Sequence, residues 1–454
     1  MDGDEQEKNL GSVRGWKGVI RFTLPSMITM VFISTYTVVD GLFVSNFINT
    51  DALAAVNILM PVATLLSAVG FMFATGGSAY VSNLLGKGES LKASSAFTLI
   101  ILVALALSLI FLVAGLLFMD PIARLLGADE TLIGGAVEYG TVYVMFAPFL
   151  ILQFLFTQFL VVAGKPHMSL VAAVAGGLSN IALDYLLIVV LDMGMTGAAV
   201  ASGVGSLIPA VLSIPVLLSK TSYINFIKPT WNSEAITKSC TNGVSEMVTE
   251  LSGGIIILCY NLVMMNYIGP DGVAAITIVS YVQFLALSVI IGYANGIAPV
   301  MSFDHGAEDR KGMQGLFKIS VIFVLAVSFV AFLMVEIFAP EITALFASGS
   351  EEVTEIVVKG ARVFALGFLL LGFNMYASSL FTSLSNGLIS AAVSAVRSLF
   401  LLAPLIVILP YIFGIDAVWA AAPLTELITA AIAVFFVIRL NPRYGYLKER
   451  SAVS

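Results

Sequence analysis

Two carboxylates, an amide and a hydroxyl stand in stretches of sequence that are otherwise apolar. Asp40 follows Tyr36-Thr37-Val38-Val39, Asn180 and Asp184 lie within Ser179-Asn180-Ile181-Ala182-Leu183-Asp184, and Ser202 follows Ala198-Ala199-Val200-Ala201. A charged side chain at membrane depth costs about 2.5–3.5 kcal/mol on insertion scales, so it persists where it faces a cavity, pairs or binds something. Asn180 and Asp184 are four apart and share a helix face, as do Ala198 and Ser202 one segment later. Hard oxygen ligands of these types suit Na⁺, and carboxylates in low-dielectric surroundings can instead exchange protons near neutral pH. The two acids would titrate as a pair. The structural alternative is a hydrogen-bond network in which a neutral Asp donates to Asn and Tyr.

Further residues fall near this set. Tyr36, one turn before Asp40, can face the same cavity, as can Tyr139 and Gln153; the alternative for Tyr139 is an aromatic belt at the membrane interface. Pro25 removes a backbone hydrogen bond, which suits either a static kink or a moving one. Glu246 and Glu250, also four apart, form a second acidic site or flank a mouth, with the mouth favoured for Glu246. Arg397 and Glu426 are expected as an interhelical ion pair of structural character. The many Met and Phe side chains offer an adaptable, polarizable apolar surface, although most belong to core or lipid contact.

These residues need helices to place them in a bilayer. Of 454 residues, 59% are hydrophobic and 11% charged, with a mean hydropathy of +1.02. Such a chain uses lipid as its solvent. At about 20 apolar residues per crossing, twelve spans are expected, at 17–45, 52–83, 93–119, 133–163, 167–191, 195–219, 236–267, 272–303, 313–338, 353–384, 388–411 and 416–440. The apolar runs are continuous rather than alternating, which excludes a barrel. All Lys and Arg except Arg124, Lys359 and Arg362 fall on one side if both termini are cytoplasmic, so the positive-inside rule predicts a multi-pass cell-membrane protein in that orientation. Cys240 and Cys259 define no disulfide or metal framework. No phosphate loop, nucleic-acid patch or dense His/Asp constellation is seen, so neither an enzyme nor a nucleic-acid partner is expected.

The pattern is written twice. Leu42–Gly76 set against Leu262–Gly296 without a gap matches at Asn46/Asn266, Asp51/Asp271 and the Ala-Ala pairs 54–55 and 274–275, among others. The expected architecture is all-α, with two six-helix lobes related by a pseudo-twofold axis along the membrane normal. The expected division is a tail at 1–16, an N-lobe at 17–219, a cytoplasmic linker at 220–235, a C-lobe at 236–440 and a tail at 441–454. At the same offset Asp40 faces Tyr260, Asn180 faces Phe400, Asp184 faces Pro404 and Ser202 faces Ala422. The coupling chemistry is therefore sought in the first lobe.

The Asn180–Asp184 stretch, with Met193-Gly194-Met195-Thr196-Gly197-Ala198-Ala199-Val200-Ala201-Ser202, resembles the fifth and sixth spans of multidrug and toxic compound extrusion (MATE) transporters, prokaryotic branch. So do Leu24-Pro25, Val39-Asp40-Gly41-Leu42-Phe43-Val44 and Leu53-Ala54-Ala55-Val56. The resemblance implies efflux of drug-like organic molecules driven by inward Na⁺ or H⁺. Asp40, Asn180 and Asp184 match the N-lobe cation-site residues of that branch, and Ser202 keeps a hydroxyl where relatives can carry Thr. A third acid carried by some relatives in the tenth span has no counterpart in Phe373-Asn374-Met375-Tyr376. The expected protein is thus a secondary active antiporter, acting as a monomer without cofactor, that exports cationic or neutral compounds by alternating access. A flippase of lipid-linked precursors or other amphiphiles, within the same superfamily, is the alternative and would need a large cationic cavity.

Overall fold

Hydrocarbon offers no hydrogen bonds, so each apolar stretch must satisfy its own backbone as a helix. The computed structural model describes residues 10–47, 50–219, 221–346 and 351–447, with side chains described at all of these except 37–53, 342 and 344–353. The first half comprises α1 (Gly15–Phe47), α2 (Thr50–Gly86), α3 (Ser90–Leu125), α4 (Ile133–Met145), α5 (Ala147–Val162), α6 (Pro166–Asp184) and α7 (Gly194–Leu217). The second comprises α8 (Ser233–Tyr267), α9 (Pro270–Gly306), α10 (Arg310–Phe346), α11 (Glu351–Ala365), α12 (Phe368–Ser383), α13 (Gly387–Ala395), α14 (Ala403–Phe413) and α15 (Ala421–Tyr444). No strand occurs among the described residues. Ten spans are long and apolar enough to cross a bilayer, and the bent pairs α4–α5 and α11–α12 complete twelve.

The repeat is visible in the backbone. Phe118, three residues before Pro121, leaves helical geometry at φ −127°, ψ 20°, and Phe338, before Pro340, does so at φ −108°, ψ 17°. Proline lacks the N–H of a helical turn and crowds the preceding one, which explains both kinks. The fourth span bends by 49° between α4 and α5, and the tenth by 50° between α11 and α12. Each lobe also has a π-helical stretch, Tyr185–Val190 after α6 and Val396–Leu402 between α13 and α14.

The lobes meet through α2 against α8 and α1 against α9, the two most extensive helix contacts in the molecule. A β-carbon on Gly76 would overlap the Ser239 carbonyl, and one on Gly306 would overlap the Asn83 carbonyl. Both approaches lie toward the end of the bundle that carries Arg14, Lys87, Lys92, Lys165, Lys238 and Arg310, hereafter the basic end. There the start of α1 is docked on the C-lobe. Leu10, Val13, Val19 and Met27 pack in one cluster with Tyr293, Met313, Leu316 and Tyr376. Arg14 Nη2 donates to Asp304 at 2.7 Å and to Asp309 at 2.9 Å. The Gly312 N–H, also bonded to Asp309, holds that carboxyl below the usual range.

Between Leu217 and Ser233 the chain leaves helical structure and laces along α3. Asn225 N–H donates to Ser94 Oγ at 3.3 Å, Ile227 N–H to Thr98 Oγ1 at 3.2 Å and Thr230 N–H to Ser95 Oγ at 3.0 Å. Asn232 then caps α8 by accepting from the Glu234 and Ala235 N–H groups.

Candidate functional site

Small residues draw three N-lobe helices together around Asn180 and Asp184. On α6 Gly177 admits the rings of Phe32 and Tyr36, which would collide with any β-carbon there. On α7 Gly205 lies against Asn180, at whose Cβ a β-carbon on Gly205 would stand only 2.8 Å away. Asn180 is 3% exposed and Asp184 is fully buried. The side-chain oxygen of Asn180 has no hydrogen-bond partner among the described residues. Directly after Asp184 the helix widens into its π stretch, where Leu191 N–H reaches back to the Leu186 carbonyl at 2.9 Å. Such bulges recur at functional sites because they displace side chains and leave backbone groups out of the regular ladder.

Tyr36 projects from α1 onto α6 beside this pair. Asp40 lies one turn further along the same helix, in register to share its face; its side chain lies outside the described residues. Pro25 sits inside α1, which continues through it as one helix, and its carbonyl accepts from Thr29 Oγ1 at 2.9 Å. Ser202 is half-buried on α7. Its carbonyl accepts from Ser206 Oγ at 3.2 Å, and Gln153 Nε2 of α5 donates to that same hydroxyl at 3.0 Å. Ser206 therefore joins Gln153 to the Ser202 turn. Sequence reasoning missed it, although its four-residue spacing from Ser202 was the available signal. Tyr139 of α4 stacks on Tyr143 with centroids 5.6 Å apart and packs with Ile188 of the π stretch and Ala198 of α7.

The C-lobe buries polar groups of its own. Asn374 Nδ2 donates to Glu426 Oε2 at 2.6 Å and to its carbonyl at 2.9 Å, and Arg397 Nη1 stands 3.6 Å from Glu426 Oε1. Arg397, carried by the π stretch, also acts electrostatically on Glu246, and Glu246 on Glu250. Glu246 lies about 20 Å along α8 from its start, at 1.5 Å per residue, on the side of this buried set. Tyr260, at the place of Asp40 in the repeat, is buried among apolar side chains. Among the described residues no three His, Cys, Asp or Glu side chains converge as a metal site.

Comparisons with known proteins agree with this architecture. The Multidrug export protein MepA of Staphylococcus saprophyticus is 24% identical over 445 residues, covering 97% of each chain. MepA of a Staphylococcus aureus strain is 26% identical over 438 residues, covering 94% of each. The fold superposes with a TM-score of 0.90 on an outward-facing multidrug resistance MATE family transporter of the MOP superfamily, at 22% identity and covering 97% of this chain and 99% of that one. A MOP superfamily transporter from Pyrococcus furiosus, described by the reverse polarity of its binding pocket, gives 0.89 at 21% identity, covering 96% and 99%. The MatE family model matches residues 25–186 and 247–408, one match in each lobe, and the chain belongs to that family.

Proposed function

We propose that this protein exports drug-like cationic or neutral organic molecules in exchange for Na⁺ or H⁺, with the coupling cation held in the N-lobe by Asp40, Asn180, Asp184 and Ser202. The observation that carries the reading is Asn180, whose oxygen is buried without a partner among the described residues, one helical turn from the buried Asp184. An unpartnered acceptor beside a buried carboxylate is costly unless a cation or proton completes it. The donor set is all oxygen, which fits Na⁺ as well as a proton. The export of drugs by MepA relatives sets the substrate class. A negative N-lobe site also suits cationic substrates and disfavours the anionic headgroups of a lipid flippase.

Alternating access then follows from differential contacts, because an ion biases two states only where it binds them unequally. The lobe contacts near the basic end hold that side together, and in this reading the site opens to the other. With both termini cytoplasmic, this is the outward-open state of a cell-membrane monomer. The test is efflux of a fluorescent organic cation from vesicles with a pH gradient and a Na⁺ gradient imposed separately. Acceleration by either gradient supports antiport and names the ion; efflux indifferent to both would refute it.

A further inference from the structure

Between the Asn180–Asp184 site and the basic end, N-lobe helices and Asn295 of α9 line a partly open pocket of about 460 Å³, open solvent included. It runs from Ser169, about 5 Å into α6 at 1.5 Å per residue, up to Ile33, one turn short of Tyr36 on α1. Along α6, Asn180 stands about 16 Å beyond Ser169. The cavity therefore lies on the line from the site to the basic end.

Its lining mixes apolar side chains, Ile33, Phe71 and Phe154 among them, with hydroxyls of one hydrogen-bonding character. Thr29, Thr75 and Thr157 face it, and each hydroxyl donates its proton to a carbonyl four residues back, to Pro25 at 2.9 Å, Phe71 at 2.8 Å and Gln153 at 2.7 Å. A hydroxyl has one donor and two acceptor lone pairs, so these three can offer the cavity only lone pairs. Ser26 Oγ, in a residue 6% exposed, lines the same space and has no partner among the described residues. No acid of the described residues lines it. Toward the basic end a hydrogen bond crosses the lobe boundary beside the pocket, where Gln158 Nε2 donates to the Asn295 carbonyl of α9 at 3.0 Å.

We propose that this cavity is an exit vestibule through which the coupling cation, carrying part of its water, leaves the N-lobe site toward the basic end. The proposal rests on the reading of that site as the coupling site. Uncharged acceptors attract a monovalent cation weakly at several positions, which lets it enter without being trapped. Fixed carboxylates would hold it, and walls without acceptors would exclude it, whereas here the acceptors are set among apolar side chains. The Gln158–Asn295 bond joins opposite lobes, so separation of the lobes at the basic end must break it and widen the passage on that side. In the present state the bond spans that side; in the opposite state the vestibule drains.

The test is the triple variant Thr29→Val, Thr75→Val, Thr157→Val, which keeps side-chain shape and removes the three acceptors. The purified full-length protein in vesicles is read in two ways: displacement of a bound fluorescent organic cation at equilibrium by Na⁺ or by protons, and turnover under each ion gradient. Displacement should stay at the wild-type level while turnover falls on the order of tenfold, equivalent to a barrier raised by one decade. Thr157→Ser, which retains its acceptor, should turn over normally. Slowing under the Na⁺ gradient alone or the pH gradient alone identifies the ion that uses the passage. Unchanged turnover in the triple variant overturns the vestibule, as does joint loss of displacement and turnover, which would place the threonines in the ion site or the fold. Absence of any ion effect in the wild type would instead overturn the coupling-site reading, and the vestibule with it.

Discussion

Asp184 carries a fully buried carboxyl at the point where α6 passes into its π stretch, with Asn180 one turn earlier. Asp184→Asn preserves volume and removes the charge that a cation or proton would satisfy. Gradient-driven efflux should fall to the level of empty vesicles while the protein still inserts, and Asp40→Asn should do the same. Transport near the wild-type rate at matched expression, in either variant, would remove these acids from the coupling step. Such residues were legible in the sequence because an acid or amide in an apolar run has no cheap explanation. Ser206 had only its four-residue spacing from Ser202 to mark it, and a serine in a helix of small residues looks like packing until Gln153 is seen donating to it. The C-lobe differs again: Arg397 and Glu426 could be paired from sequence, but Asn374 bridging to Glu426 required three spans to be in place.

At the level of elements, the number and order of the spans followed from apolar length alone. Their interruptions did not. The fourth span reads as one stretch from 133 to 163, yet it bends by 49° at Phe146, just before Pro148. Nothing in the apolar run Tyr185–Val190 announces a π stretch, since a change of hydrogen-bond register leaves no mark on hydrophobicity. Pro25 could be located from sequence but its role could not. The structure has α1 continuing through it, so its missing hydrogen bond is a reserve of compliance more than a break. Pro25→Ala restores that bond and should slow turnover on the order of tenfold while equilibrium binding of the drug stays unchanged, one decade being about 1.4 kcal/mol of barrier. Stopped-flow efflux with parallel binding measurements separates the two, and unaltered turnover would leave Pro25 a purely structural residue.

For the whole molecule, the internal repeat made two lobes legible, and the paired kinks at Phe118 and Phe338 carry it into the backbone. Which lobe each helix end serves was not legible. Pairing of α1 with α9 depends on surfaces that hydropathy does not distinguish. The Arg14 contacts join residues separated by 290 positions, beyond reach of any local pattern. Arg14→Gln leaves the buried Asp304 carboxylate without its cation, a loss of about 1–3 kcal/mol for a buried group left unsatisfied. The expected outcome is slower turnover with unchanged displacement of drug by the coupling ion. If ion displacement failed as well, Arg14 would be acting on the site directly.

That anchorage turns the first helix into a connecting rod. Leu10, Val13, Val19 and Met27, in and just before this helix, belong to the packing of the C-lobe, and Phe32 and Tyr36 bear on α6 in the N-lobe. Pro25 lies close to where allegiance changes. A rod clamped to two bodies cannot let them rock without flexing, and it flexes where its hydrogen-bond ladder is thinnest. In the proposed exchange cycle, a change in the angle between the lobes would be delivered as a bend to the segment that carries Asp40, and a cation or proton taken up there would be felt along the same rod as torque on the opposite lobe.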